Sequence, residues 1–454
     1  MFNILRSRLK EHAERTALIS YRKAFSYQTL ADAIEGQELI FQSHSIGEGS
    51  VVVLIGDFSL TAIASLLALF FTKATVIPLT KASYLKLNPY VDALTPDFIY
   101  DASDLIQSPI FIETKFPDKN LKWREVLPAN VGALVVYTSG STGIPKAIVH
   151  NIDSLCYRHL DTRTPLISIC FLVFDHMGGI NTLLFLLFRG GTAVHIAERK
   201  VHEVCKAIED YKVDLLPTTP SFLAQLLIAK SYDAYNLSSL KVISYGTEVM
   251  SEAVLAKLGV ILPNCTFKQT YGLSEIGVLK ILSRDNQSLW FKFSDPGVEY
   301  KIKNEILWIK TTSNLLAKVF FTETPPLLEM PSDDWFCTND IVENEGEYLK
   351  ILGRKTDIIN VGGLKVYPSE VENCLYKCPI VDEVLVRGKK HPLLGQTVVA
   401  HVRLNNNLDK DLALTILRSH CLKTLDKYKV PSKFILKSDE FVNDRFKKNR
   451  VEPL

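Results

Sequence analysis

The sequence predicts an α/β protein with a large N-terminal region of several subdomains on mainly parallel sheets and a small α+β domain at the C-terminal end. Three observations lead to this fold class. Short apolar runs alternate with helical patterns through most of the 454 residues, which is typical of helices layered on a parallel sheet. The stretch 297–310 alternates with a period of two, which indicates antiparallel strands. Beyond residue 352, about a hundred residues remain, enough for a separate small domain.

The N-terminal elements follow from short apolar runs and from helical spacing of apolar residues. One face of the helix predicted at Val201–Tyr211, for example, carries Val204, Cys205 and Ile208. In chain order, the predicted elements are a strand at Val51–Ile55, a helix at Ser59–Phe71, a strand at Thr75–Leu79, a helix at Val201–Tyr211, a strand at Asp214–Leu216 and a helix at Pro220–Ala229. This strand–helix–strand order predicts parallel pairing of the strands.

A domain boundary is predicted near Leu352–Asn360, where a charged turn joins two apolar strands. Beyond it, the patterns predict a helix at Ser369–Tyr376, a strand at Glu383–Arg387 and a helix at Leu408–Leu425. These elements are the expected content of the small C-terminal domain.

Composition excludes several classes of protein. With 52 Lys and Arg against 50 Asp and Glu, the net charge of +2 argues against nucleic-acid binding driven by bulk electrostatics. The apolar run Ala62–Phe71 is too short to span a bilayer, and the charged N-terminus lacks the apolar core of a signal peptide. Eight cysteines without a zinc-type spacing are typical of reduced thiols. We therefore expect a cytoplasmic protein with no membrane span, and composition alone does not indicate its chemistry.

The clearest chemical motif is VVYTSGSTGIPKAIVH, at Val135–His150. Its glycines allow the main chain to approach a ligand, and its hydroxyls, amides and Lys146 are suited to phosphate oxygens. It is not a Walker A loop, because Pro145 precedes the lysine and Ala147 follows it. From these residues alone, a phosphate-binding loop and a polar turn between strands both stay open.

This loop resembles the signature of the adenylate-forming superfamily, which includes acyl-CoA and aryl-CoA synthetases, adenylation domains of peptide synthetases, and luciferases. Further segments resemble that family in the same order: YGTE at Tyr245–Glu248, YGLSE at Tyr271–Glu275, WFCTND at Trp335–Asp340, GRKTDIINVGGLKVYPSEVE at Gly353–Glu372 and NDRFKKNR at Asn443–Arg450. The resemblance covers nearly the whole chain. It implies an ATP- and acid-binding domain at 1–352, a hinge at 353–357 that includes Thr356, and a mobile C-terminal domain at 358–454.

The resemblance also implies the nucleotide site. The implied ATP- and AMP-binding residues are Thr138, Ser139, Gly140, Ser141, Thr142, Gly143, Lys146, Gly246, Thr247, Glu248, Thr270, Tyr271, Gly272, Leu273, Ser274, Asp340 and Arg354. In the family pattern, Asp340 and Arg354 would hold the ribose hydroxyls and Tyr271 would stack on adenine. Thr138 and Glu275 would hold Mg²⁺, a hard cation that takes oxygen ligands together with phosphates.

The catalytic lysine of the family corresponds to Lys447, which would bridge the substrate carboxylate and the α-phosphate. Its neighbour Lys448 is the competing candidate, and a solvated basic tail is the alternative for both. The spacing of Asn443, Lys447 and Arg450 favours Lys447.

The acid side is predicted from FDHMGG at Phe174–Gly179. His176 is the candidate gate between the acid and the thiol, against the alternative of a buried, hydrogen-bonded histidine. Asp175 would pair with a substrate ammonium group if it faces the pocket, and the substrate would then be an amino acid; otherwise a plain acyl or aryl acid is expected. The predicted pocket residues are Asp175, His176, Gly179, Tyr245, Gly246 and Gly277.

Three positions depart from the family pattern. Asn339 stands where the family has glycine, but asparagine tolerates left-handed backbone angles, so the turn is expected to persist. Phe446 replaces the glycine of the lysine loop, and Thr356 takes a hinge position that is often Asp or Lys.

The resemblance implies a two-step ligase. ATP and a small carboxylic acid would give an acyl adenylate and pyrophosphate, and a thiol would then attack after the C-terminal domain rotates. The segment GGLKVYPSEVE favours coenzyme A as the acceptor. The alternatives are an enzyme that loads an amino or acyl acid onto the phosphopantetheine arm of an acyl or peptidyl carrier protein, and an inactive family member on the same fold.

Overall fold

The computed structural model describes residues 2–104, 108–114, 123–124, 127, 130–139, 145–160, 164–311, 318–321, 328–329, 335–405, 408–437, 441 and 448. Within these residues, no helix is both long enough and apolar enough to cross a bilayer.

The helices and strands alternate through the first half of the chain and give way to consecutive strands after residue 265. The helices are α1 (Phe2–Glu11), α2 (Tyr27–Ser43), α3 (Leu60–Phe71), α4 (Lys81–Asp92), α5 (Ile152–Tyr157), α6 (Met177–Phe188), α7 (Val201–Tyr211), α8 (Pro220–Ala229), α9 (Glu252–Ile261), α10 (Pro368–Tyr376) and α11 (Lys410–Thr424). The strands are β1 (Thr16–Ser20), β2 (Lys23–Ser26), β3 (Val51–Ile55), β4 (Thr75–Leu79), β5 (Phe98–Asp101), β6 (Ile110–Glu113), β7 (Ala133–Ser139), β8 (Pro145–Asn151), β9 (Ile167–Ile169), β10 (Thr192–Val194), β11 (Leu215–Thr218), β12 (Val242–Tyr245), β13 (Thr266–Gln269), β14 (Tyr271–Leu273), β15 (Gly277–Leu279), β16 (Ile281–Ser283), β17 (Phe291–Phe293), β18 (Val298–Lys303), β19 (Ile306–Thr311), β20 (Lys318–Phe321), β21 (Leu328–Glu329), β22 (Phe336–Glu345), β23 (Tyr348–Arg354), β24 (Ile359–Val361), β25 (Leu364–Val366), β26 (Val381–His391), β27 (Gly395–Leu404) and β28 (Lys433–Leu436).

Two large sheets of the N-terminal region are mainly parallel, as predicted. Over the described residues, one sheet has the strand order β21-β20-β8-β7-β4-β3-β5-β6, and β7, β4, β3 and β5 run parallel in it. The other has the order β13-β12-β11-β9-β10-β1-β2, parallel from β13 to β1. Helices separate the parallel strands, because a parallel connection has to cross back over the sheet.

The remaining sheets also agree with the predicted fold class. The sheet β16-β17-β23-β22-β19-β18 is antiparallel, and its β18–β19 hairpin is the stretch with the period of two. The C-terminal sheet contains β24 to β28 and packs with α10 and α11. The change of sheet falls at the predicted hinge, because β23 ends at Arg354 and a short 3₁₀ turn, Lys355–Asp357, precedes β24. The predicted domain limits and the mobility of this hinge stay predictions.

Several predicted elements have the observed bounds: Val51–Ile55, Thr75–Leu79, Val201–Tyr211 and Pro220–Ala229. The other ends differ because caps and pairing decide them. Ser59 is the N-cap of α3 and not its first residue, since its hydroxyl accepts a hydrogen bond from the Ala62 amide. Asp409 caps α11 in the same way and moves its start to Lys410.

Three more elements have bounds that differ from the predicted ones, and strand pairing accounts for two of them. The strand predicted at Asp214–Leu216 is Leu215–Thr218, because β11 pairs with β12 as far as Thr218. The strand predicted at Glu383–Arg387 extends over Val381–His391, because β26 pairs with β27 along its whole length. The helix predicted from Ser369 begins one residue earlier, at Pro368, a favourable first helical residue.

The C-terminal domain packs against the N-terminal region through apolar side chains. One cluster of buried residues runs from α7, α8 and α9 into α10, α11 and β26. α10 contacts α9, and β26 contacts α8. The structure therefore shows the two regions docked on each other.

Candidate active site

The predicted site segments follow the carboxyl ends of neighbouring parallel strands. FDHMGG begins after β9 and ends in the first turn of α6, YGTE begins at the last residue of β12, and YGLSE begins two residues after β13. Ligand sites of α/β proteins lie at this edge of the sheet, because the carboxyl ends of parallel strands point the same way. The arrangement brings segments from distant parts of the sequence to one edge.

The predicted ribose residues Asp340 and Arg354 lie together. They are register partners on β22 and β23, and the Arg354 Nε lies 3.3 Å from the Asp340 carboxylate. The Tyr271 hydroxyl donates to the other oxygen of Asp340, at 2.7 Å. Burial of Asp340 raises the pKa of its carboxyl group, against the opposing effects of Arg354 and Tyr271. The buried Asp340 carboxylate is therefore a hydrogen-bond acceptor of fixed orientation, suited to a pair of hydroxyl groups.

Two neighbours of Asp340 shape its turn. Asn339 has a φ of +58°, so the left-handed conformation expected of the residue in the family's glycine position is present. The Thr338 hydroxyl accepts from the Asp340 amide at 3.0 Å and donates to the Leu307 carbonyl at 2.8 Å. The aspartate is therefore held on both its main chain and its side chain.

Tyr271, the predicted adenine-stacking residue, packs within the antiparallel sheet. Its ring stacks on Phe291 with centroids 5.6 Å apart and meets Phe293 edge to face. Burial raises the pKa of its hydroxyl, and the nearby Asp340 carboxylate adds to that shift. The hydroxyl is thus a donor to Asp340 at neutral pH, and stacking on adenine stays a prediction.

The Gly-Ser-Thr loop lies at the tip of the β7–β8 hairpin. Thr138 and Lys146 are register partners at its base, and Ser139 pairs with Pro145. Gly140, Ser141, Thr142 and Gly143 lie outside the described residues, as does the side chain of Ser139. The amides and hydroxyls of a glycine-rich loop that follows a strand can bind phosphate oxygens, and that role stays a prediction for this chain.

Glu275 lies half-buried in the turn between β14 and β15. Leu273 pairs with Gly277 at that turn, and a Cβ on Gly272 would lie 2.4 Å from the Gly277 carbonyl oxygen. The hairpin therefore requires glycine at that position. Oxygen donors such as the Glu275 carboxylate and the Thr138 hydroxyl fit Mg²⁺. The described residues contain no group of three or more His, Cys, Asp or Glu that could hold a metal ion by themselves.

Arg158, which the sequence analysis did not identify, stabilises the β14–β15 hairpin through two hydrogen bonds. Its guanidinium donates to the carbonyls of Ile276 and Val278, at 3.1 and 2.6 Å. Gly277 has a φ of +68°, and a Cβ there would lie 2.7 Å from the arginine. Nearby, burial lowers the pKa of His150 to about 3. No motif identified Arg158, because its contacts are made across the fold.

The YGTE and YGLSE segments are joined through Thr270. Its amide and its hydroxyl donate to the Tyr245 carbonyl, at 2.8 and 3.1 Å. A Cβ on Gly246 would lie 2.3 Å from the Thr270 hydroxyl oxygen, so only glycine allows this approach. Thr247 follows with a φ of +71°. Tyr245 itself is buried, and burial raises the pKa of its hydroxyl.

Both carboxylate oxygens of Glu248 accept hydrogen bonds from other residues of the protein. One oxygen accepts from the Ser221 hydroxyl and amide at the start of α8, at 2.7 and 3.2 Å. The other accepts from the Lys448 amide, at 2.6 Å. The Lys448 ammonium pairs with Glu372 on α10, at 2.7 Å. Lys447 lies outside the described residues, and its predicted role is not tested.

His176 is the N-cap of α6, where its Nδ1 accepts from the Gly178 amide at 3.0 Å. A Cβ on Gly179 would lie 2.2 Å from the Val173 carbonyl oxygen, so the first turn of α6 packs directly on the preceding backbone. A hydrogen-bonded histidine was the stated alternative to a gate. The capping geometry agrees with it, and the gating role stays a prediction.

Asp175 is 2 % exposed, and neither carboxylate oxygen has a hydrogen-bond partner among the residues that the structure describes. The Thr218 hydroxyl, at the end of β11, and the Gln269 carbonyl, at the end of β13, share this property. Buried polar atoms are nearly always paired in a complete complex. These oxygens lie near the carboxyl-end edge of the sheet where the site segments meet.

At the predicted hinge, Thr356 lies in an exposed 3₁₀ turn and its hydroxyl donates to Asp357, at 3.1 Å. Gly353, just before the turn, has a φ of +154°, a conformation that favours glycine.

The chain matches two family models in sequence order. Residues 81–305 match the AMP-binding enzyme model, and residues 370–448 match the AMP-binding enzyme C-terminal domain. It is similar to a long-chain-fatty-acid–CoA ligase of Haemophilus influenzae, 26% identical over 66% of this chain and 57% of that one. It is also similar to 4-coumarate-CoA ligase 1 of Narcissus pseudonarcissus, 26% identical over 62% and 57%. The match thus spans less than two thirds of these curated relatives.

The fold is similar to that of an anthranilate CoA ligase in complex with anthranoyl-AMP, with a TM-score of 0.80 and 17% identity over 99% of this chain and 95% of that one. An o-succinylbenzoate CoA synthetase from Bacillus subtilis gives a TM-score of 0.73 and 20% identity, over 99% and 97%. At these identities the likeness concerns the fold. Together, the two family models cover more than half of the sequence, and the chain belongs to the AMP-binding enzyme family.

Proposed function

We propose that this protein activates a carboxylic acid with ATP and transfers the acyl group to coenzyme A. In the first step, a carboxylate oxygen attacks the α-phosphorus of ATP, and pyrophosphate leaves. In the second, a thiolate attacks the acyl carbonyl, and AMP leaves. The observation that carries the proposal is the cluster of Asp340, Arg354 and Tyr271, a buried acceptor and its donors where the family places the ribose.

The proposed chemistry needs positioned donors and cations more than acid–base groups, because the phosphoryl centre is surrounded by negative charge. Asp340 would accept hydrogen bonds from the ribose hydroxyls and fix the nucleotide. Lys146, at the base of the Gly-Ser-Thr loop, and Lys447 would stabilise charge on the phosphates. Mg²⁺, held by Glu275 and Thr138, would neutralise phosphate charge.

A second candidate is the activation of an amino acid for a carrier protein. It is favoured by Asp175, whose buried carboxylate has no protein partner among the described residues. A substrate ammonium group would supply the missing charge, which is costly to leave out in a site of low dielectric. The fold is also similar to a four-domain nonribosomal peptide synthetase bound to AMP and glycine, with a TM-score of 0.79 and 21% identity over 100% of this chain and 36% of that one.

The test is acid-dependent exchange of labelled pyrophosphate into ATP across fatty, aromatic and amino acids. Exchange with any acid class is expected, followed by product analysis with coenzyme A and with a phosphopantetheinylated carrier protein. Formation of an acyl-CoA supports the first candidate, and loading of the carrier alone supports the second. Absence of exchange with every acid would leave an inactive family member as the correct reading.

The lysine assignment has its own test. Lys447→Ala is expected to abolish adenylate formation and to spare thiol transfer from a supplied acyl adenylate, because the lysine acts only on the phosphoryl step. Equal loss of both half-reactions would contradict the assignment.

A further inference from the structure

Lys448 contacts both regions of the molecule. Its ammonium lies 2.7 Å from a carboxylate oxygen of Glu372 and 5.2 Å from the centre of the Tyr376 ring, both on α10. Its amide donates to Glu248, in the N-terminal region, at 2.6 Å. The Lys448 side chain is 14 % exposed and that of Glu372 is 6 % exposed. A solvated basic tail does not have this geometry.

Each of the two carboxylates is also fixed within its own region. The second oxygen of Glu248 accepts from Ser221 at the start of α8. The second oxygen of Glu372 accepts from the Val386 amide on β26, at 2.9 Å. Because both carboxylates are already oriented, little conformational freedom is lost when Lys448 binds them.

The two contacts differ in what they join. The ion pair between Lys448 and Glu372 lies within the C-terminal domain, so the two residues would move together if that domain rotated. The hydrogen bond from the Lys448 amide to Glu248 crosses between the regions and would have to break. The side-chain contact therefore holds Lys448 on α10, and the main-chain contact docks Lys448 beside the YGTE loop.

We propose that Lys448 is a positioning residue. Its amide docks the C-terminal segment that contains Lys448 against Glu248, and its ammonium group is held by Glu372. The inference rests on the proposed function in one respect, namely that the segment it positions carries the lysine of the adenylation step. Because the Lys448 ammonium group binds Glu372 on α10, Lys448 acts on the reaction by positioning its neighbours and does not itself contact the phosphate.

The main test compares Lys448→Met, Lys448→Arg and Glu372→Gln. Lys448→Met keeps the length of the side chain, and Glu372→Gln keeps an acceptor for Val386. Both are expected to lower the kcat of pyrophosphate exchange about tenfold, as a small misplacement of a reacting group would. The KM for ATP and thiol transfer from a supplied adenylate should change less than about twofold. Lys448→Arg should recover most of the rate, because it restores the charge.

The matched control is Lys365→Met. Lys365 pairs with Glu305 across the same two regions, but both side chains are about half exposed, so its loss should have little effect on adenylation. A rate for Lys448→Met equal to that of this control would overturn the proposal. Loss in Lys448→Arg as complete as in Lys447→Ala would also overturn it, because Lys448 would then act on the substrate. The double variant of Lys448 and Glu372 should be no worse than either single one, and additive losses would refute the pairing.

Hydrogen exchange at residues 441–448 tests the docking without any activity. Glu248→Ala is expected to accelerate exchange of the Lys448 amide, and Lys365→Met is not. Unchanged protection in Glu248→Ala would contradict the docking contact. If the wild-type protein shows no pyrophosphate exchange, the proposed function fails, and the amide measurement alone then decides on the docking.

Discussion

Two buried aspartates at the candidate site differ in their surroundings. Asp340 is 5 % exposed, and its oxygens meet the Tyr271 hydroxyl and the Arg354 guanidinium. Asp175 is 2 % exposed, and its oxygens have no partner among the described residues. The protein thus supplies hydrogen-bonding and charged partners to Asp340, whereas the residues that the structure describes supply none to Asp175.

The two aspartates are therefore expected to have different roles, one in binding a ligand common to the family and the other in binding a particular substrate. A preorganised acceptor such as Asp340 suits a ligand shared by the whole family, because its geometry is fixed before the ligand arrives. If Asp175 faces the acid pocket, its buried carboxylate, which has no partner among the described residues, would select a substrate that brings a counter-charge or a donor. Variants of the two residues should therefore fail in different ways.

The largest effect is expected for Asp340→Asn. The amide keeps the shape but loses charge-assisted hydrogen bonds to the ribose, so pyrophosphate exchange should fall about 100-fold with every acid. Burial raises the pKa of Asp340, which means that its stabilising contribution is present at low pH and is lost as the pH rises through the raised pKa. Because burial disfavours the charged carboxylate in the folded protein, the neutral asparagine should not lower the melting temperature.

These two measurements are separable. If Asp340→Asn lowered the melting temperature by many degrees, the aspartate would be mainly structural. If it affected one class of acid selectively, Asp340 would belong to the acid side and the comparison would fail.

The second effect is expected for Asp175→Asn. If Asp175 binds a substrate ammonium group, kcat/KM should fall about 10- to 100-fold for amino acids and stay unchanged for acids without an amino group. The free energy of unfolding should rise by about 1–3 kcal/mol, because a neutral amide costs less to bury than a carboxylate that has no partner among the described residues. Unchanged kinetics with the best substrate would remove Asp175 from the pocket.

Local sequence patterns predicted part of the fold and of the candidate site, and contacts between distant residues account for the rest. The bounds of β3, β4, α7 and α8 follow from local apolar patterns and were predicted correctly. The length of β26 was not, because its pairing with β27 sets it. Arg158 supports a carbonyl 120 residues away, and Glu248 meets the Lys448 amide at a separation of 200 residues. No local pattern contains such contacts, whereas motif residues such as Asp340 could be named in advance.

A third effect concerns a buried group that is neutral. His150 is 3 % exposed, its Nε2 has no partner among the described residues, and burial lowers its pKa to about 3. Its stabilising contribution is present above the unfolded pKa near 6.5 and is lost as the pH falls toward 3. At pH 5 the loss should be about 2 kcal/mol. Urea unfolding at pH 7 and pH 5 measures it, and His150→Gln should flatten the difference.

If His150→Gln lost as much stability on acidification as the wild-type protein, the histidine would not be the cause. The result would also weaken the comparison of the two aspartates. That comparison assumes that a buried group without a full set of partners is stable only while it is uncharged, and His150 is the example of such a group.

The smallest effect is expected for Tyr271→Phe, which removes one donor from Asp340 and leaves the ring packed on Phe291. A hydrogen bond to a charged group contributes about 1.5–3 kcal/mol, but the ribose can supply a donor in its place, so the KM for ATP should rise only about fivefold. The free enzyme lacks that replacement, and the Asp340 carboxyl should titrate at a higher pH in the variant. The pH dependence of ATP binding measures this shift. An unchanged pH profile with an unchanged KM would mean that Arg354 alone orients Asp340, and the nucleotide side would be less preorganised than the two aspartates suggest.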